Sequence, residues 1–537
     1  MKNALQKKLL IISILLVNTL LLFSSSQPRV SKDEVLKTMK TATGFLMNNV
    51  TYKGGFVWNY LPDFSRQWGE LEAYRTMVWV QPPGTPSVGH LLLDAYHATG
   101  DEYYYESAKT VANALIWGQL PCGGWNYMFD FAGENSLKQW YGTIGKHGWR
   151  LEEFQHYYGN ATFDDAGTIH AAKFLLRMYV EKNDPTFRPA VEKAIRFVLD
   201  SQYPIGGWPQ RYPLMYDHPF QGKEDYSSFI TLNDDVSIEN IEFLLQCYQA
   251  MGLQNIKEPI IRAMNMLIVL QQGAPYAGWA DQYTVTDLKP AHARSYEPRA
   301  INTTTTVQMI YQMMEYYRLT GESKFIAGIP AAIRFLESME LPESELERYG
   351  RRRREGTDIF VPRFIDPDTG KPLYIHRKGT NVINGHYYVD QDISNTISHY
   401  SSGAFIDITR IKKVYEEVKN TPLEKLTKGS SLLSNECVAL EKYYTRKPYR
   451  AEHPNKDVEK LIQGLSKEGY WLTPLRMTSN PYKACPSMNA SAETRYASTF
   501  VGDEYDTSCY SAEEPVMGIS MADYISNMMK LICYLDN

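Results

Sequence analysis

The sequence is short of several things, and each shortage excludes something. Six cysteines in 537 residues (Cys122, Cys247, Cys437, Cys485, Cys509, Cys533), none in a CxxC pair, exclude a disulfide-framed scaffold; Cys485 and Cys509 could pair in an oxidising compartment. There is no basic surplus: 56 Lys+Arg face 61 Asp+Glu, a net charge of -5, which argues against a nucleic-acid binder. No apolar run of membrane-spanning length follows the first 28 residues. Nucleophile elbow, HExxH, phosphate-cradling loop and dinucleotide fingerprint are all missing, and the eleven histidines are scattered singly. At 44% hydrophobic and 22% charged, the chain is nevertheless too apolar for disorder.

What is present begins with an export signal. Lys2, Lys7 and Lys8 precede an apolar run from Leu9 to Phe23, and Ser24 to Ser26 supply small residues for cleavage. Residues 1–28 are therefore expected to be a signal peptide, and the mature protein to be secreted, periplasmic or extracellular, with no integral span.

The body of the chain repeats. Val88, Leu91, Ala95 and Ala98 form an amphipathic stripe, and the same offsets recur at Ile169, Ala172, Leu176 and Tyr179. They return at Ile238, Ile241, Leu245 and Tyr248, and again at Val307, Ile310, Met314 and Tyr317. Each stripe is followed by a second helical stretch, near 105–118, 188–202, 257–272 and 325–339, and three of these run into a glycine–tryptophan turn at Trp125, Trp208 and Trp279. Helix pairs in series must stack to bury their stripes, which predicts a solenoid or closed ring with function gathered in the long loops at one rim. The repeat fades after about residue 340, near a basic run at Arg348 and Arg351 to Arg354 that reads as a solvated loop. Residues 401–537 read as a further α-containing region with a loop-like stretch at 478–499 and a final helix near 519–535.

Four loop segments could carry chemistry. Asp164-Asp165 precedes the second stripe and Asp234-Asp235 the third, which reads as equivalent positions of consecutive repeats. One reading is helix capping; the other is a hard cation held by oxygen ligands, Ca²⁺ before Mg²⁺, because adjacent carboxylates repel unless neutralised. Arg294 lies in the loop before the fourth stripe, and Arg363 and Arg377 bracket a later segment. Arginines beside a cation site suit a carboxylate-bearing ligand, since guanidinium grips carboxylate bidentately. The 13% aromatic share, with 39 Tyr and 10 Trp, offers rings for sugar stacking as well as for the core, and Trp208, opening a polar loop, is the ring assigned to substrate.

In chain order these segments read TFDDAGT (162–168), GGWPQRYP (206–213), ITLND (230–234), RSYEP (294–298) and RFIDPDTGKPLYIHR (363–377). Together they resemble the family-ten polysaccharide lyases, pectate lyases on an α/α toroid. The resemblance implies an all-α toroid, an incomplete helical barrel whose irregular loops form a cleft at one rim, over residues 29–400. It implies calcium-binding aspartates at Asp164 and Asp234, Arg294 as the base that takes the C5 proton of a galacturonate, and Arg363 and Arg377 as holders of substrate carboxylates. The reaction implied is calcium-assisted β-elimination of an acidic, polygalacturonate-like polysaccharide by a monomer. Asp165 stands where the family has Asn, adding charge where the substrate sits, and no lysine precedes Arg294 in the family's register. A non-catalytic uronate-binding toroid and a glycoside hydrolase with two acidic residues are the other functions considered.

Overall fold

The computed structural model describes residues 30–147, 152–215, 217–220, 222–348, 358–378, 386–394, 396, 402–434, 437–445, 454–475 and 516–536. The signal peptide, Arg351 to Arg354, the pair Cys485 and Cys509, and the 478–499 stretch lie outside the described residues. The principal helices are α1 (Lys32–Phe45), α2 (Thr85–Thr99), α3 (Glu102–Gly118), α4 (Glu134–Thr143), α5 (Gly167–Lys182), α6 (Arg188–Asp200) and α7 (Val236–Met251). There follow α8 (Lys257–Val269), α9 (Thr303–Thr320), α10 (Ile329–Ser338), α11 (Ile408–Asn420), α12 (Pro454–Gly464) and α13 (Met521–Leu535). None of the described helices is long and apolar enough to cross a membrane.

All four striped segments are helical, as α2, α5, α7 and α9, and each packs on the helix that follows it. Helices α2 and α5 also pack together, as do α5 and α7. The stripe residues Val88, Leu91, Ala95, Ile169, Ala172, Leu176 and Ile241 are fully or almost fully buried in one continuous core. That burial, at about 25 cal/mol per Å² of apolar surface, is what holds the row together.

The glycine–tryptophan turns follow one design. Gly123 and Gly206 adopt φ of +105° and +115°, and a Cβ at Gly206 would sit 2.6 Å from the Arg262 carbonyl oxygen of α8. Only glycine tolerates both the conformation and the approach. The following indole turns back on its own helix: Trp125 Nε1 donates to Leu115 O (2.8 Å), Trp208 to Val198 O (2.8 Å) and Trp279 to Leu267 O (2.7 Å). A further copy lies near the C-terminus, where Gly469 has φ +104° and Trp471 Nε1 donates to Leu461 O (2.9 Å). Helix α13, which follows it, packs on α2, α1 and α12. The boundary drawn after residue 400 thus separates segments that share one core.

The expectation of an all-α chain is corrected. Short antiparallel strands bind the loops: Ile230–Thr231, Gln282–Tyr283 and Pro290–Ala291 form one sheet, and Met77–Trp79 pairs with Met128–Asp130. Backbone that must reverse between helices satisfies its N–H and C=O groups with neighbouring loops, which helical periodicity does not register.

Candidate active site

The site is built where α5 and α7 begin. Two tight turns enter these helices, and each contains two consecutive non-glycine residues in the left-handed region: Asp165 (φ 49°) and Ala166 (φ 56°), then Asp234 (φ 52°) and Asp235 (φ 59°). Such residues cost about 1–3 kcal/mol each and persist only where the surroundings impose them. The backbone therefore equates Asp165 with Asp234 and Asp164 with Asn233. The match of Asp164-Asp165 with Asp234-Asp235 was one residue out of register, because sequence offsets cannot see where the turn reverses. Neither helix is capped by these acids: the residues at the caps, Ala166 and Asp235, make no side-chain capping bond.

Asp164, Asp165 and Asp234 each offer a carboxylate oxygen within 4.8 Å of the others, a spacing that could hold a cation. Asp164 is fully buried and its Oδ1 has no hydrogen-bond partner, while its Oδ2 accepts from the Tyr127 hydroxyl. Gln81 Nε2 donates to Asp165 Oδ2 (2.7 Å) and Asn233 Nδ2 to Asp234 Oδ2 (2.9 Å).

Arg294 arrives from the loop after Pro290–Ala291 and lies among four carboxylates. Its Nη2 donates to Asp164 (2.6 Å), Nη1 to Asp234 (3.4 Å) and Glu297 (3.3 Å), and Nε to Glu153 (3.2 Å). Glu297 also accepts the Arg294 backbone N–H (2.9 Å), and Glu152 accepts that of Ser295 (2.8 Å). Residues 141 and 143 positions apart are thus clamped pairwise, Glu153 on Arg294 and Glu152 on Ser295.

Carboxylates outnumber guanidinium here, and the electrostatics show it. Burial followed by Asp164 raises Asp234 well above the usual carboxylate range; burial followed by Asp165 does the same to Glu70. Asp165 is exposed to solvent, yet the protein packed around its carboxyl and the Asp164 charge push it up to about 7. Glu152 is raised by burial to about 7. Burial works to raise Asp164, but Arg294 together with hydrogen bonds from Asp234, Tyr127 and Gln210 outweighs it and holds the carboxyl below its usual range. Burial opposes the charge of Arg294, but Asp164, Glu153 and Glu297 overcome it and hold the guanidinium protonated.

Of the expected site residues, Asp164, Asp165, Asp234 and Arg294 come together. Trp208 does not: it is fully buried, with its N–H spent on Val198, and presents no face to a sugar. Its place in a helix-reversing turn outweighs its position before a polar loop. Arg363 is half-buried, and its charge acts on Asp281, whose backbone carbonyl accepts from Leu232 N (2.7 Å). Arg377 lies on strand Pro372–Lys378, opposite Tyr387; its side chain is outside the described residues. The sequence reading passed over Glu153, Glu297, Tyr127 and Gln81. Glu297 lay inside the RSYEP motif and Glu152-Glu153 formed an acidic pair, but neither had periodicity to mark it.

Residues 136–395 match the family model described as pectic acid lyase. Among solved structures, the chain is similar to a family 10 polysaccharide lyase from Cellvibrio cellulosa, at 18% identity and TM-score 0.42, covering 62% of this chain and 97% of that one. A mutant of that enzyme in complex with trigalacturonic acid gives 18% identity and TM-score 0.41, covering 62% and 98%. The GH76A alpha-1,6-mannanase from Salegentibacter sp. HEL1_6 gives 12% and 0.37, covering 94% and 99%. No curated protein matches.

Proposed function

We propose that this protein is a secreted, monomeric pectate lyase on an α/α toroid, cleaving polygalacturonate or a closely related uronate polymer by calcium-assisted β-elimination. One observation carries the reading: three carboxylates from two repeat turns meet a buried arginine from a third loop. The donor set favours a hard dication, being all oxygen, and the unpartnered Oδ1 of buried Asp164 is a ligand atom with no other use in the fold. In this reading Asp164, Asp165 and Asp234 hold Ca²⁺, so Asp165 joins the ligands instead of facing substrate alone. Bound there, the ion supplies charge neutralisation to the carboxylate beside C5, which acidifies the C5 hydrogen.

The chain's own residues do the rest. Neutral Arg294 accepts the C5 proton, the C–H electrons form the C4=C5 double bond, and the C4–O bond breaks with its electron pair going to the departing sugar oxygen, which takes a proton from solvent. Glu153, accepting from Nε, and Glu297, accepting from Nη1, hold the guanidinium in place. Arg363 and Arg377 are assigned to neighbouring substrate carboxylates. The immediate neighbours of Arg294 are carboxylates, which raise its pKa. A dication held by Asp164 and Asp234 would offset their charge and favour the neutral form, so the optimum is expected at alkaline pH.

The test follows absorbance of the 4,5-unsaturated product on polygalacturonate from pH 5 to 11, with calcium and with chelator. A rise in calcium at alkaline pH, abolished by chelation, supports the proposal. Reducing ends without absorbance would make the protein a hydrolase, and turnover in full chelator would remove the metal.

A further inference from the structure

Away from the carboxylate cluster, the C-terminal end of α3 carries Trp117, 54% exposed. Its ring lies 4.4 Å from Phe131 and 5.7 Å from Phe129, and Tyr52 continues the row 5.9 Å beyond Phe131. Gly118 makes the approach possible, since a Cβ there would sit 2.3 Å from the Phe129 ring. Two exposed cations border the rings. Lys53 Nζ stands 5.1 Å from the Phe131 centroid and 5.8 Å from that of Tyr52, and the Arg75 guanidinium is 5.6 Å from Tyr52. Arg75 also donates to Val50 O (3.2 Å). Among the described residues neither cation is ion-paired with a carboxylate. A single exposed aromatic is ordinary on a protein surface. A row of rings flanked by two uncompensated cations is less so, because each cation in water is otherwise free to find an acid.

We infer that Tyr52, Lys53, Arg75, Trp117 and Phe131 form a second carbohydrate site, a surface platform for uronate-bearing polysaccharide, separate from the carboxylate cluster. Sugar rings present C–H faces that pack on aromatic planes, and the acid on each uronate meets Lys53 or Arg75. The platform and the cluster sit at opposite ends of one ribbon. Strand Met77–Trp79 pairs with Met128–Asp130; Gln81 and Tyr127, at one end, contact Asp165 and Asp164, while Arg75 and Phe131 flank the other. Tyr127 and Phe131 flank strand Met128–Asp130 four positions apart, about 13 Å at ~3.3 Å per residue, so one polymer chain could span from the cluster to the platform.

The ligand class rests on the function proposed above, but binding can be measured apart from cleavage. Wild type, Trp117→Ala and the double variant Lys53→Gln/Arg75→Gln, each confirmed folded by thermal melt, are run in chelator through gels containing polygalacturonate, a neutral galactan or polyglutamate. Initial rates in calcium are taken on trigalacturonate and on long polygalacturonate. Expected are retention of wild type by polygalacturonate alone, loss of that retention by about tenfold in both variants, unchanged rates on the trimer and slower rates on the long polymer. Variants retained like wild type would overturn the platform, as would equal wild-type retention by polyglutamate, which would leave charge as the sole cause, or by neutral galactan. If no uronate polymer is cleaved, the proposed reaction fails, yet the gels still decide the platform.

Discussion

Nη2 of Arg294 lies 2.6 Å from Oδ2 of Asp164, a buried ion pair between residues 130 positions apart. It takes up Oδ2 and leaves Oδ1 for the proposed cation, so the guanidinium opposes the cation by its charge beside the same carboxylate. Arg294→Ala is then expected to bind calcium more tightly than wild type by calorimetry, while lyase turnover falls by about 10²–10⁴-fold, the range for a lost general base. Without metal the variant should also lose about 3–5 kcal/mol of stability, since buried carboxylates are left uncompensated. Weaker or unchanged calcium binding would show that the arginine does not oppose the cation.

Glu152 supplies a pH test. Its folded pKa, about 7, stands above the unfolded value of 4.5, so its ionisation opposes folding progressively as pH rises from 4.5 to 7 and fully above that. Glu152→Gln mimics the protonated carboxyl and can still accept from Ser295 N. Denaturant titrations should show the variant more stable than wild type at pH 8, by up to about 3 kcal/mol, and equal to it at pH 4.5. A variant less stable at both pH values would mean the carboxylate is stabilising in its charged form.

His170 tests the opposite sign. Burial, then Lys173, pushes its pKa down to about 3 from 6.5, so the folded protein keeps it neutral while the unfolded chain protonates. Its contribution is present above pH 6.5 and is lost as pH falls toward 3. Its ring bonds to the Ser87 hydroxyl (2.9 Å) and the Tyr444 hydroxyl (3.0 Å). His170→Gln should be less stable than wild type at pH 8 by about 1–3 kcal/mol, with the gap narrowing as pH drops to 4.5. A gap constant with pH would count against a neutral buried histidine.

Trp208 separates core from substrate contact. Trp208→Phe removes the bond to Val198 and leaves a partial void, at a cost of about 2–4 kcal/mol by thermal or chemical denaturation. Since the ring is fully buried, KM for polygalacturonate should not move at a temperature where the variant is folded. A large rise in KM without loss of stability would restore the stacking role.

The helical stripes were legible because burial of one face imposes a 3.6-residue period that survives in a bare sequence: Ile169, Ala172 and Leu176 point one way whatever surrounds them. The glycine–tryptophan turns were legible as turns, and the acidic and arginine segments as a set. What stayed hidden depends on where loops return in space. Glu153 reaches Arg294 across 141 positions, and no local pattern encodes such a meeting. The register of the two aspartate turns was settled by φ at Asp165 and Asp234, Trp208 became core because a helix reverses there, and α13 reached α2 because an outlying Trp471 turn repeats the unit late in the chain. Amino-acid order alone determined that the striped segments are helices and which residue types could do chemistry, since both follow from local geometry and side-chain character. Only the tertiary structure decided which of those residues meet, because contact between distant loops is a property of the packed chain.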